Sequence, residues 1–384
     1  MINLSAPRPR SSLNSPVQAG WRNLLASGAC LVTLGFGAAP ALAQNYTVHP
    51  LVTDDQTVLA TLPYGPAPTV DPALINPWDA ANTPNGQWVI ANTGGSGAGV
   101  PGTITIYNSQ GKILRSPVGV PQGSSPPYGP TGVTNVIGAG FKLPDGRAAN
   151  YLIDNLDGSI SGWSGTDQAQ TIIPGRGPGG NLAAYTALEV GTSGGATYLY
   201  AANNITGTID VFDTNFSKVT LAGSFVDPGR NPNGLVPFNI ENIGLHLWVT
   251  YAVPGPPASA APPGSGFVSE FNMDGTFVRR FAGSGTLSSP WGIAIAPANF
   301  GKYSNDVLIG NFNDGPTEGF ITAFDPTTGR RIGLLRQNNK IIVIPGLWAL
   351  QFGTGRNADK LFFAAGIGGE NHGLFGEISA ETAK

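Results

Sequence analysis

The chain is poor in the residues from which most reactive sites are built. Its 384 residues include one cysteine, two methionines and three histidines. A single cysteine excludes an internal disulfide and any zinc site made of paired cysteines. The histidines, His49, His246 and His372, show no H-x-x-x-H spacing, so a histidine-based metal site would have to assemble from distant segments. Charge is equally sparse: 11% of residues are Asp, Glu, Lys or Arg, against roughly 25% in an average globular chain. The balance of 20 basic and 23 acidic residues is mildly acidic and argues against nucleic acid or an anionic membrane as a partner.

Acidic residues are missing altogether from the first 43 positions, where Arg8, Arg10 and Arg22 precede an apolar stretch from Leu24 to Leu42. Ala41-Leu42-Ala43 has the A-x-A form of a cleavage site, and residues 1–43 are expected to be a signal peptide. Gly28, Gly35, Gly37 and Pro40 interrupt the stretch, which argues against stable membrane insertion. Cleavage would remove Cys30 and three arginines, leaving 17 basic and 23 acidic residues, a formal charge of −6. The expected destination is the periplasm or the exterior, and the protein is expected to be a monomer.

Glycine (55) and proline (33) are abundant, and they punctuate a repeat. A Pro or small residue, an anchor, a small residue and an apolar run recur six times. The anchors Trp78, Thr131, Tyr185, Phe238, Trp291 and Trp348 are separated by 53, 54, 53, 53 and 57 residues. After each anchor come strand-like runs in the same order. In the fifth repeat these are 292–296, Val307-Leu308-Ile309-Gly310 and the alternating Phe320-Ile321-Thr322-Ala323-Phe324. Period-two alternation of β-branched and aromatic residues marks strands. Six units of four strands predict an all-β, six-bladed β-propeller over residues 44–380, with 381–384 as a tail. The sixth repeat has only three strands, and Tyr46-Thr47-Val48-His49-Pro50-Leu51-Val52 is expected to supply the fourth and close the ring.

Two motif matches are set aside. The G-x-G-x-x-G at 175–180 lies in no strand-to-helix unit and contains Pro178, and the G-x-S-x-G at 191–195 falls in a hairpin.

In a propeller, the start of each inner strand and the end of the second strand lie on one face, around the channel mouth. The anchors occupy the starts. The ends carry Asn92, Asp154, Asn203, Asn311 and, in a Gly-rich loop, Glu370 and His372. Short amides and carboxylates from several blades could converge there on a polar ligand or Ca²⁺; equally, they could cap strand ends. Glu370 and His372, two residues apart, could form an acid/base pair with Asp154 as a further carboxylate. Trp78, Tyr185, Trp291 and Trp348 could stack on a flat ligand, or pack between blades.

The phrases 71–78, Pro290-Trp291-Gly292-Ile293-Ala294, Gly310-Asn311-Phe312-Asn313-Asp314-Gly315 and 369–376 resemble an uncharacterised family of exported bacterial proteins, often bearing a PEP-CTERM tag, which this chain does not end on. Asp79 stands where that family usually has Gly. More distantly the repeats are similar to NHL-type and gluconolactonase-type propellers. That resemblance implies metal ligands at the anchor column, where this chain has aromatics and a threonine. A lactonase-like centre would therefore have to recruit Asp154, Asn203, Asn311 and Glu370. The sequence supports two functions: a binding propeller that takes a small molecule, glycan or protein at the channel mouth, through Trp78, Tyr185, Trp291, Trp348, Asn92, Asn203 and Asn311; or a lactonase- or esterase-like hydrolase with a Ca²⁺-type site.

Overall fold

Five of the repeats fold into four-stranded antiparallel sheets, and the three strands of the sixth are completed by the N-terminal strand, in a computed structural model that describes residues 45–94, 102–123, 129–175, 182–231, 233–255, 264–283, 285, 287–312 and 319–381. The inner strands are Pro77–Asn82, Pro130–Asn135, Tyr185–Ser193, Val236–Ile243, Pro290–Ile295 and Leu347–Phe352. The result is the predicted six-bladed propeller. Contacts between neighbouring inner strands trace the ring. Val133 N donates to Asp79 Oδ2 (2.8 Å), Thr131 Oγ1 to the Tyr185 carbonyl (2.9 Å) and Asn242 Nδ2 to the Val190 carbonyl (2.9 Å). Asn239 Nδ2 donates to the Trp291 carbonyl (2.8 Å) and Asn82 Nδ2 to the Phe352 carbonyl (2.9 Å). Blades 5 and 6 approach so closely that a Cβ on Gly292 would stand 2.6 Å from Leu350 N, which is why the residue after that anchor has no side chain.

The repeated phrase has a structural meaning that periodicity did not reveal. In all six blades the pairing of the inner strand with the second strand slips at or just after the anchor: between Pro77 and Asp79, Pro130 and Gly132, Tyr185 and Leu188, Pro237 and Asn239, Pro290 and Ile293, and Leu347 and Leu350. Each slip is a β-bulge, one residue too many on the inner strand, which kinks it and re-aims the side chain. Asn92, Asn155, Asn203 and Asn311 pair across from Pro77, Pro130, Tyr185 and Pro290 at the foot of these bulges. The G-x-S-x-G segment is a hairpin: Gly194 (φ 57°) and Gly195 (φ 83°) turn Tyr185–Ser193 into Ala196–Asn203, with the positive φ at both positions that a two-residue turn demands.

Closure follows expectation. Tyr46–Thr53 pairs antiparallel with Leu374–Ala380, from Tyr46↔Ala380 to Thr53↔Leu374, and Pro50 sits where the register shifts. A short strand, Thr69–Val70, runs parallel along Val52 and Thr53, so the closing strand is covered at one end and is not outermost throughout. The leader expected over 1–43, all but the first residue of the G-x-G-x-x-G match, Asn313-Asp314 and residues 382–384 lie outside the described residues. No helix among the described residues is long and apolar enough to cross a membrane.

The closing strand is also bolted to blade 5. The Tyr46 hydroxyl donates to the Phe300 carbonyl and accepts from Tyr303 N, both at 3.0 Å, in a fully buried pocket. Tyr46→Phe leaves two backbone groups unpaired and is expected to cost about 1–3 kcal/mol, measured as a lower denaturant midpoint with unchanged m-value.

Candidate functional site

Four anchors meet across the ring, joined by Phe312, which follows the second strand of blade 5. Trp78 and Trp348 stack at 3.8 Å between ring centroids, and Phe312 stacks on Trp348 at 3.9 Å. Phe238 and Trp291 meet Trp348 edge-on at 5.8 and 6.1 Å. Trp78 of blade 1 also reaches Phe238 of blade 4 (6.5 Å), across the ring. All five are at most 2% exposed. The rings the sequence offered as a stacking surface thus face the channel and stack on one another, closing it with their own substance. Tyr185 points elsewhere: its hydroxyl donates to Asp210 Oδ2 (2.9 Å) inside its blade.

The residues at the second-strand ends are held within their blades. Asn92 Nδ2 donates to Thr105 Oγ1 (3.0 Å). Asn203 Oδ1 accepts from Ala184 N (3.3 Å) while its Nδ2 donates to Asp210 Oδ2 (3.1 Å). Asn311 Oδ1 accepts from Ser288 N (2.9 Å). These amides peg strand ends, the alternative role open to them on sequence. Among the described residues, no group of three or more His, Cys, Asp or Glu side chains is gathered so as to hold a metal ion.

His372 and Glu370 belong to the ring closure. His372 Nδ1 pairs with Asp54 Oδ2 at 2.7 Å, and the other oxygen of Asp54 accepts from Gly373 N (2.8 Å), fastening the loop to the segment that follows the closing strand. Glu370 ends a turn that passes through Gly368 and Gly369 in left-handed geometry, and is itself left-handed (φ 64°). His372 therefore pairs with Asp54, a residue that no sequence motif tied to it.

Below the plug, the far ends of the inner strands open into a cup of about 180 Å³. Five of the six inner strands line it. Asp79 and Asn82 come from blade 1, Thr134 from blade 2, Glu189 from blade 3, Glu241 from blade 4 and Gln351 from blade 6. No basic side chain is among its lining residues. Asp79 accepts from Val133 N (2.8 Å) and Ala80 N (2.7 Å). Glu189 Oε1 accepts from Thr134 Oγ1 (2.9 Å) and Val190 N (2.6 Å), and Glu241 Oε1 from Asn239 Nδ2 (3.3 Å). These bonds fix three carboxylates in place.

Burial works against their charge. It pushes Asp79 and Glu189 up to about 7, against the lowering effect of their hydrogen bonds, and it raises Glu241 with help from the nearby charges of Glu189 and Asp79. Asp154 lies behind this group, fully buried between blades 2 and 3. Its Oδ1 accepts from Thr131 Oγ1 (3.0 Å) and Gly132 N (2.5 Å), and its Oδ2 has no partner among the described residues. Burial lifts it to about 7 as well. Glu189 and Glu241 went unnoticed in the sequence. The usable signal was an acid inside an apolar inner strand.

Comparison with known proteins leads to viral relatives. The chain is 32% identical over 320 residues to the uncharacterized protein L690 of Acanthamoeba polyphaga mimivirus, covering 80% of this chain and 81% of that one. It is 32% identical over 318 residues to R648 of the same virus, covering 80% and 76%. Bacterial origin, export and sorting, which the resemblance implied, find no support in these relatives. No family model matches. Among solved structures, a protein of unknown function from Bacteroides thetaiotaomicron aligns with a TM-score of 0.50 at 10% identity, over 88% of this chain and 76% of that one, a likeness of fold alone.

Two outcomes follow from the plug and the acids. Trp348→Ala removes the ring on which the plug is stacked and is expected to cost about 3–5 kcal/mol, measured by chemical denaturation. Asp79, Asp154 and Glu189 have folded pKa values near 7, above their unfolded values of about 4. The folded state then binds more protons than the unfolded state between about pH 4 and 7, so stability falls as pH rises through that window. Thermal unfolding is expected at lower temperature at pH 8 than at pH 5, with the difference reduced in Asp154→Asn.

Proposed function

Since the chain belongs to the family of the mimivirus proteins L690 and R648, whose descriptions assign no reaction, its function has to be argued from its own site, and we propose that it is a binding propeller whose ligand sits in the acid-lined cup. The observation that carries this reading is the convergence of Asp79, Glu189 and Glu241 from three blades on one cavity that also takes Thr134 and Gln351. Carboxylates held by backbone and hydroxyl donors are pre-oriented acceptors. They favour a guest rich in donors, a small molecule bearing hydroxyl or amine groups such as a saccharide unit. The aromatic plug closes the channel on one side, which leaves the opposite face, beyond the far ends of the inner strands, as the way in. The guest relieves the mutual repulsion of the acids by donating to them.

A Ca²⁺-dependent hydrolase is the lesser reading. Its support is that carboxylates line the cup. Thermal-shift screening of saccharides, polyols and amines, each with Ca²⁺ or with chelator, separates the two. Under the binding reading a saturating ligand at about 100 times its Kd adds about 2.7 kcal/mol of stability, chelator makes no difference, and Glu189→Gln or Glu241→Gln weakens the response about tenfold. A response that needs Ca²⁺ and is lost in Glu370→Gln or Asp154→Asn, with the cup variants unaffected, would instead favour the hydrolase.

A further inference from the structure

Between the last strand of blade 5 and the inner strand of blade 6 the chain makes an excursion. Arg336–Gln337 and Lys340–Ile341 form a two-stranded ribbon, turned by Asn338 (φ 50°) and Asn339 (φ 63°). Gln337 Oε1 accepts from Val48 N (3.0 Å), so the first strand of the ribbon rests on the ring-closing strand. The second strand, Lys340–Ile341, pairs on one side only. Facing it is the segment 62–64. The Tyr64 hydroxyl donates to the Val343 carbonyl (2.8 Å) and accepts from Val343 N (2.9 Å), standing in for a neighbouring strand just past the ribbon. The groove so formed holds about 430 Å³ and is lined by Leu62, Pro63, Ile341 and Pro345, among others. Ile341 is 40% exposed and lines the groove.

The rim is of one sign. Lys340 lines the groove, and Arg336 donates to the Asn339 carbonyl (2.7 Å) beside it. Every charged residue from 330 to 345 is basic, in a chain whose formal charge is −3. Among the described residues none of Arg330, Arg331, Arg336 and Lys340 has a carboxylate within ion-pair distance. We propose that this groove docks an acidic, apolar segment of a partner protein. The segment lies extended along the open edge of Lys340–Ile341, with apolar side chains in the groove and carboxylates toward Lys340 and Arg336. An open strand edge supplies backbone hydrogen bonds to an extended peptide, and the flanking pocket and charges choose its sequence. A concave groove one ribbon long suits a peptide better than a flat membrane surface. The site is separate from the cup and stands or falls independently of it.

The test is selection from a library of short random peptides on the immobilised full-length chain, followed by titration of the enriched peptides. The proposal expects peptides rich in Asp or Glu alternating with aliphatic or aromatic residues. Their affinity is expected to fall about tenfold in Lys340→Glu and in Ile341→Ser, to weaken with salt, and to be unchanged in Glu241→Gln. Lys340 and Ile341 are exposed, and a thermal melt checks that both variants fold. The proposal is overturned if no peptide is enriched, if the enriched peptides lack an acidic bias, or if both groove variants bind them as the parent does. Sedimentation with phosphatidylserine-containing vesicles that depends on Lys340, in the absence of any enriched peptide, would overturn it in favour of a lipid surface.

Discussion

Each inner strand carries one residue more than the strand beside it, and the bulge that results decides where the anchor goes. Without it, the pleat would keep strict alternation and point the anchor out of one face of its blade, toward the neighbouring blade. With it, Trp78, Phe238, Trp291 and Trp348 turn inward, and Trp348 is sandwiched between Trp78 and Phe312. Rings contributed by blades 1, 4, 5 and 6 therefore replace water on the axis. The plug ties together blades that share no strand edge, and it supplements the single covalent route around the ring. The closing strand Tyr46–Thr53 performs the complementary task at the periphery, where its pairing with Leu374–Ala380 removes an open edge.

The plug also sets the electrostatics below it. Sealing one end of the channel leaves the carboxylates of Asp79, Glu189 and Glu241 with limited access to water, and their hydrogen bonds to backbone N–H groups, to Thr134 and to Asn239 only partly offset the loss of hydration. A chain with so few charges has concentrated several of its acids where they are hardest to ionise. Such an arrangement costs stability near neutral pH.

Much of the fold was legible because it is periodic. The spacing of Trp78, Thr131, Tyr185, Phe238, Trp291 and Trp348 counts the blades, and the strand left over at the N-terminus finds its place at the incomplete sixth blade. The site was less legible. Asn92, Asn203 and Asn311 recur in register, yet their recurrence reports a shared structural duty opposite Pro77, Tyr185 and Pro290. The cup acids lie one, four and three residues beyond their anchors (Asp79, Glu189 and Glu241), so they form no column that a repeat alignment would show.

The number of blades, the order of strands within each and the partner of the closing strand follow from local alternation and from the covalent order of repeats. That the anchors fill the channel, that His372 pairs with Asp54 and that acids at unequal offsets share one cup came from the folded ring alone. Those outcomes depend on directions across the ring axis, set by the bulges and by closure, and a one-dimensional period holds no information about an angle between blades.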